Sequence, residues 1–242
     1  MTSHGPGMIA LSSGDCARYA ACRDSIEGLQ RPPSTIRYTS HGLSVAENWN
    51  KAAAVFLSTS TPTLEWMFLV NDDHIYPPDT LLRLLDRNVE VVTGLYTFRS
   101  LPFRPILFDR LHEDGRHVLG LELPNTRLDS ASALIPIVAC GDGAMLVRRS
   151  VFERVEPPWW SYGLIDSDRS DHDLIFCERL RNAGITIHAD LSVPIGHVTP
   201  LMLMPLQRPD GAWIVQIADK HMNGVELLVV APDPLAAEVL HS

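Results

Sequence analysis

Between Met8 and about Asp190 the apolar positions follow two alternating rhythms. Met8-Ile9-Ala10-Leu11, Trp66-Met67-Phe68-Leu69-Val70, Val89 to Leu95 and Ala144-Met145-Leu146-Val147 are short, mostly apolar runs that read as strands, the bulky run from Trp66 to Val70 as one covered on both faces. Ile185, Ile187 and Ala189 alternate as a last core strand. Helical spacing fills the intervals. Ser44-Val45-Ala46-Glu47 fits a capping box, and Val45, Trp49, Ala52, Ala53 and Phe56 then recur on one helical face. Pro77-Pro78-Asp79 opens a helix carrying Leu81, Leu84 and Leu85, and Ser150 caps a turn of helix through Phe152. A third helix over Asp171 to Ala183 places Phe176, Leu180 and Ala183 together and stops at Gly184. Strands alternating with helices predict a mostly parallel α/β sheet flanked by helices.

Two stretches escape this rhythm. Thr97 to Ala133, with its prolines and Asp114-Gly115, reads as hairpins or a mobile loop region. Past Pro194 the pattern weakens through Ile195-Gly196-His197-Val198 into Leu201-Met202-Leu203-Met204, which reads as packing. A hairpin-like piece at Asp210-Gly211 and a β-rich Val225 to Val230 follow. The expected organisation is one main domain, residues 1–200, with an extension of residues 201–242 packed on it.

Composition narrows the class. With 242 residues, 45% hydrophobic and 20% charged, the chain can bury a full core and does not resemble a disordered protein. The amino terminus lacks a basic segment followed by an apolar stretch, and no apolar run reaches the ~18 residues of a membrane span, so a cytoplasmic protein without a membrane partner is expected. Cys16, Cys22, Cys140 and Cys177 form no Cys-x-x-Cys pair and read as reduced thiols. The net charge of −9 argues against broad attraction to nucleic acid, although a local basic groove stays compatible with it. Lys51 and Lys220 are the only lysines among 20 basic residues; the arginine excess suits phosphates or reflects genome composition.

The strongest chemical signal is Asn71-Asp72-Asp73-His74, directly after the apolar run ending at Val70. Open α/β sheets bind ligands at the carboxyl ends of their strands. Adjacent carboxylates there are costly to crowd together unless a cation lies between them. An acidic turn capping the helix near Asp79 explains the same residues equally well. His74 reads as a packed histidine at a strand end.

Three segments in order carry a resemblance. Phe68 to His74 followed by Pro77-Pro78-Asp79-Thr80-Leu81, then Gly141-Asp142-Gly143 to Arg149, then His172-Asp173 through Gly184, Asp190 and Gly196-His197, resemble glycosyltransferases of the GT-A fold, close to glycosyltransferase family 2 and its phage and bacterial relatives. The resemblance spans roughly residues 8–200. It implies a metal-dependent hexosyltransferase that moves a sugar from a nucleotide-sugar donor, usually a UDP-sugar, to an acceptor hydroxyl, with Mn²⁺ or Mg²⁺ on the diphosphate.

By the same resemblance, Asp73 matches the final acid of the Asp-x-Asp metal motif, and His197 matches a position that often supplies a second ligand. Asn71 replaces the first acid, which implies weaker metal affinity while leaving an oxygen for the ribose or a metal-bound water. Asp72 faces the ribose or caps a loop. Ser12 and Ser13 end the first strand, and Asn48 resembles a nucleobase contact. Gly141 and Gly143 let backbone approach the donor sugar, with Asp142 on its hydroxyls, although a tight turn accounts for both glycines. Asp173, or nearby Asp171, is the expected general base, while favouring a helix amino terminus is the plainer role for both. His172 departs from the family's acid. Trp159 and Trp160, after Pro157-Pro158, form either a stacking platform for the acceptor or core closure. The phage members make hydroxymethylated pyrimidines in DNA a possible acceptor, beside polysaccharide, protein and small-molecule hydroxyls; a phage-encoded protein would act in the host cytoplasm. Two other functions fit: a nucleotidyltransferase, although no Gly-rich, Lys-containing loop occurs early in the chain, and a noncatalytic nucleotide-sugar-binding module, suggested by Asn71 and His172.

Overall fold

The computed structural model describes residues 4–13, 19–99, 103–111, 118–120, 132–165, 168–200, 202–207, 209, 213–218 and 224–228. Gly14, Cys16, Asp114-Gly115, Leu201, Asp210-Gly211 and Val229-Val230, named above, lie outside them. In chain order the first half contains β1 (Gly7–Ser13), α1 (Ala20–Glu27), β2 (Thr35–His41), α2 (Val45–Ser58), β3 (Trp66–Asn71), β4 (His74–Ile75), α3 (Thr80–Asp86), β5 (Val91–Leu95), β6 (Leu107–Leu111) and β7 (Val118–Gly120). Then follow β8 (Leu134–Ile137), β9 (Ala139–Cys140), β10 (Met145–Arg148), α4 (Arg149–Arg154), β11 (Gly163–Ile165), β12 (Asp168–Ser170), α5 (His172–Asn182), β13 (Ile187–Pro194) and β14 (Gly196–His197). The last elements are β15 (Met202–Gln207), β16 (Trp213–Ala218) and β17 (Gly224–Leu228).

Two compact units emerge. Residues 1–97 and 105–197 build a seven-stranded sheet in the order β2-β1-β3-β10-β5-β13-β8. β2, β1, β3, β5 and β13 share one direction, and β10 and β8 run against them. Residues 98–104 and 198–242 form the second unit, in which β15, β16 and β17 make an antiparallel meander. Among the described residues no helix is long and apolar enough to cross a membrane.

β3 shows why this sheet is buried on both sides. Met67 and Leu69 point into one core with Trp49, Ala52, Ala53 and Phe56 of α2, Val151 and Phe152 of α4, and Phe176 and Leu180 of α5. Trp66, Phe68 and Val70 point into the other, with Ile26 of α1 and Leu81, Leu84 and Leu85 of α3. A strand whose neighbours on both faces are apolar has no polar alternation to show, which is the pattern read from its sequence.

The predicted capping box is present. Ser44 Oγ accepts from the Glu47 amide at 3.3 Å, and the Glu47 carboxylate accepts from the Ser44 amide at 3.0 Å. Ser150, expected to cap α4, lies inside it, and the N-cap is Arg148. α1 and β2 were not anticipated. α1 has only Cys22 and Ile26 buried, and β2 is an edge strand of mixed exposure, so neither carries a strong apolar period. Among the described residues of Thr97 to Ala133, Leu107–Leu111 and Val118–Gly120 are strands, with β6 between β7 and β9 in a small antiparallel sheet. Cys22, Cys140 and Cys177 are free and buried.

α5 ends as its sequence predicts. The Gly184 amide donates to the Arg181 carbonyl at 2.9 Å and the Ile185 amide to the Leu180 carbonyl at 2.9 Å, with Gly184 at φ +70°. This double closure satisfies carbonyls that the helix leaves open, and it needs a left-handed residue. No atom would obstruct a Cβ at Gly184, so the φ angle alone sets the cost. Gly184→Ala is therefore expected to destabilise the protein by about 1 kcal/mol, measured as a lower urea midpoint with an unchanged slope.

Candidate metal centre and glycine loop

The acidic turn stands where β3 leaves the core. Asp72 accepts from Ser13 Oγ at 3.0 Å, which ties the turn to the end of β1. The chain then re-enters as β4, whose antiparallel partner is β14, with Gly196 opposite Ile75 and His197 opposite His74. That register stacks the two imidazoles, with centroids 4.2 Å apart and planes 18° apart. β14 is aimed there by a clamp one strand earlier. Fully buried Asp190 pairs with Arg87 at 2.6 Å and accepts from the Ser192 amide and hydroxyl, while Arg83 donates to the Ser192 carbonyl. An irregularity between Asp190 and Pro194 follows in the pairing of β13 with β5.

Asp73, His74 and His197 thus converge, each offering one donor atom to a group lying within 4.8 Å. His74 Nδ1 lies 2.9 Å from Asp73 Oδ1, and a carboxylate only accepts, so this nitrogen carries the proton in the neutral ring. His74 Nε2 is left buried with no hydrogen-bond partner. His197 Nδ1 donates to the Thr97 carbonyl at 2.7 Å, so in the neutral ring its Nε2 lone pair faces Asp73 Oδ2 at 3.7 Å, whereas the protonated ring donates there. Burial pushes the Asp73 carboxyl up, but the His197 and His74 imidazoles outweigh it and hold Asp73 well below the usual carboxylate range. Burial lowers His74, reinforced by His197, and Asp73 only partly offsets this. An anionic carboxylate facing an imidazole lone pair is an unfavourable contact until a proton or a cation lies between them. One oxygen and two nitrogens fit a divalent transition metal.

The glycine loop meets this group from the neighbouring strand. β10 begins beside the end of β3, so residues 141–143, which precede β10, reach the same edge. A Cβ on Gly143 would lie 2.6 Å from His74 Cε1 and 2.7 Å from His74 Nε2. A Cβ on Gly141 would lie 2.5 Å from the Tyr96 hydroxyl and 3.5 Å from Asp173 Oδ2. Buried Asp142 forms an ion pair with His172 Nε2 at 3.0 Å. Burial lowers His172, but Asp142, with Asp173 and Asp171 behind it, gives a net rise. Asp173 Oδ1 accepts from the Leu174 amide at 2.9 Å. Burial first, and then the Asp142 carboxylate, push Asp173 up to about 7.

Asp73 and His197 therefore lie together, and Asn71, Asp72, Gly141, Asp142, Gly143 and Asp173 border the same edge. Asp171 is exposed at the N-cap of α5 without a side-chain cap bond. Four of the residues named from the sequence, Asn48, Ser12, Trp159 and Trp160, are buried, and for the two tryptophans core closure is the reading that the packing matches. Asn48 is 2% exposed, accepts from Ser40 and donates to Ser12 and to the Leu43 carbonyl, so its amide is spent on a buried bracket and not presented to a base. Ser12 is buried in the same bracket. Trp159 and Trp160, 6% and 1% exposed, pack on Phe152, and Trp160 stacks on Phe176 at 4.1 Å; they close the core. An aromatic that does face outward is Tyr162, 49% exposed and edge-on to His172 at 5.4 Å. His74, read as packing, is also part of the cation-capable group; its position directly after two acids was the available signal.

No protein-family model matches the chain, and no curated protein matches it in sequence. Among solved structures it is similar to the protein A197 from STIV, with a TM-score of 0.54 and 11% identity over 93% of this chain and 95% of that one. It also aligns with a mutant of Drosophila β-1,4-galactosyltransferase 7 in complex with manganese, UDP-Gal and xylobiose, at a TM-score of 0.39 and 12% identity over 88% and 94%. What the chain shares with A197 is the fold, a mixed, mostly parallel α/β sheet flanked by helices.

Two outcomes test the geometry. The His74 ring is stacked on His197 and met edge-on by Tyr96, so it has little room to retreat from a Cβ on Gly143. Gly143→Ala is expected to weaken Mn²⁺ binding at least about tenfold, read by calorimetry. Asp173 titrates above its ordinary value in the folded state, so the native chain keeps a proton that the unfolded chain releases. Its contribution to stability is complete at low pH and is lost as pH rises from about 4 to about 7. Asp73, held low, contributes the opposite slope only at more acidic pH. Asp173→Asn should flatten the decline between about pH 5 and about pH 7.5 in urea titrations.

Proposed function

We propose that this protein is a metal-dependent glycosyltransferase that takes a sugar from a nucleotide-sugar donor, a UDP-sugar by resemblance, and passes it to an acceptor hydroxyl. The observation that carries the reading is the convergence of Asp73, His74 and His197 at the carboxyl end of β3, beside a glycine loop in which the Gly143 Cα abuts His74. A bound cation would supply charge compensation for the diphosphate leaving group. Two imidazoles favour Mn²⁺ over Mg²⁺, which prefers an all-oxygen shell.

The chain's own residues account for the other requirements. Gly141 and Gly143, buried with their Cα faces against Tyr96 and His74, hold the loop close against this edge, and Asp142 and His172 offer a charged pair to the sugar's hydroxyls. Asp173, with a pKa near 7, can take the acceptor proton on a carboxylate oxygen near neutral pH, as a general base must. Tyr162 replaces the tryptophans as the aromatic that could meet a planar or sugar acceptor. DNA carrying hydroxymethylpyrimidines belongs in the acceptor screen on resemblance alone.

Release of UDP from UDP-glucose, UDP-galactose and their N-acetyl counterparts, with and without Mn²⁺, tests the reading. Asp73→Ala is expected to lower Mn²⁺-dependent release at least about 100-fold while the circular-dichroism spectrum stays unchanged. Retained release overturns the metal assignment. Turnover of nucleoside triphosphates would identify a nucleotidyltransferase, and UDP binding that ignores metal would identify a noncatalytic module.

A further inference from the structure

We propose that Tyr76 is a positioning residue that fastens the Asp73-His74 turn to the 141–143 loop, so that a cation in the Asp73, His74, His197 group is felt at Asp142. The inference rests on the cation-binding part of the function proposed above. Its basis is one buried phenol with two backbone partners from distant segments. The Tyr76 hydroxyl accepts from the Asn71 amide at 3.0 Å and donates to the Gly143 carbonyl at 2.5 Å. A carbonyl only accepts, so the single phenolic proton is committed to Gly143, and the amide of Asn71 must take a lone pair. The last residue of β3 and the last glycine before β10 therefore move together.

The same glycine is held through its preceding peptide as well. The Gly143 amide donates to the Tyr96 hydroxyl at 3.1 Å. Tyr76 stacks beside His74 with centroids 6.1 Å apart and planes 23° apart, and Tyr96 meets the His74 ring edge-on at 4.7 Å. With His197 on a further side and the Gly143 Cα on another, the His74 imidazole is enclosed by the groups that fix the loop. Any displacement of His74 toward a cation pushes or frees Gly143, and Asp142 is the next residue. Asp142 in turn holds His172. Removing only the Tyr76 oxygen would leave the Asn71 amide and the Gly143 carbonyl without this partner in a dry site, and partners that orient ligands typically change metal affinity by 10- to 100-fold.

The test uses the full chain and Mn²⁺ alone as the probe. Mn²⁺ affinity is measured by calorimetry and by the electron paramagnetic resonance signal of free Mn²⁺ for wild type, Tyr76→Phe and the core variant Phe152→Leu. Tyr76→Phe is expected to bind Mn²⁺ at least about tenfold more weakly, whereas Phe152→Leu lowers the thermal midpoint and keeps wild-type affinity. Wild-type Mn²⁺ affinity in a folded Tyr76→Phe protein reduces Tyr76 to a packing residue and overturns the inference. Should Tyr76→Phe fail to fold, hydrogen exchange of wild type decides: added Mn²⁺ should slow exchange in peptides covering residues 141–145 as well as 71–75, and protection confined to 71–75 and 196–197 overturns it. Wild type that binds no Mn²⁺ removes the cation site and this inference together. Wild type that binds Mn²⁺ but releases UDP from no donor removes sugar transfer alone, and the Tyr76→Phe comparison still decides the coupling.

Discussion

Burial of Trp66 to Val70 on both faces of the sheet is the constraint from which the site follows. A strand with no polar face must leave the core abruptly, and its first polar residues then need partners at once. Each neighbouring element provides one: Ser13 from β1 for Asp72, Tyr76 for the Asn71 amide, His74 for Asp73. The short pairing of β4 with β14 brings His197 to the same place. The chemistry at this edge grows out of the satisfaction of a buried strand's end.

How legible this was depends on distance along the chain. The strand end, the capping box of α2 and the closure of α5 are local matters of consecutive residues, and each is visible in the sequence. Asp73 and His197 could be named only through a resemblance, because the register of β4 on β14 has no local signature. The sequence could not place Asn48, Trp159 and Trp160 for one physical reason: a polar amide or an indole beside a turn looks the same whether it faces solvent or closes a core, and only the tertiary neighbours Ser40, Ser12, Phe152 and Phe176 distinguish the two. Tyr76 and Tyr96 left no trace, since a buried hydroxyl with backbone partners leaves no pattern in residue types. α1 and β2 fell below notice because a short helix and an edge strand bury too little to impose a period.

Two carboxyl groups at one edge are pushed in opposite directions. Asp73 has imidazoles beside it and stays ionised, whereas Asp173 has burial and a neighbouring carboxylate and holds its proton toward neutrality. Divergent environments of this kind separate a charge-bearing role from a proton-transferring role without any difference in residue type. Asp142 stands between them, paired with His172, and it contributes to the rise of Asp173.

The reversed direction of β10 has a consequence for how such a site can change over evolutionary time. Parallel strands contribute the loops that follow them, but a reversed strand contributes the loop that precedes it. The glycine loop is therefore the terminus of residues 98–140, while the acidic turn opens toward α3. Under the proposed function, substitutions and insertions that accumulate before Gly141 would alter the glycine-loop side of the site without altering the chain that forms the acidic turn, so one strand's orientation would separate the inheritance of specificity from that of charge.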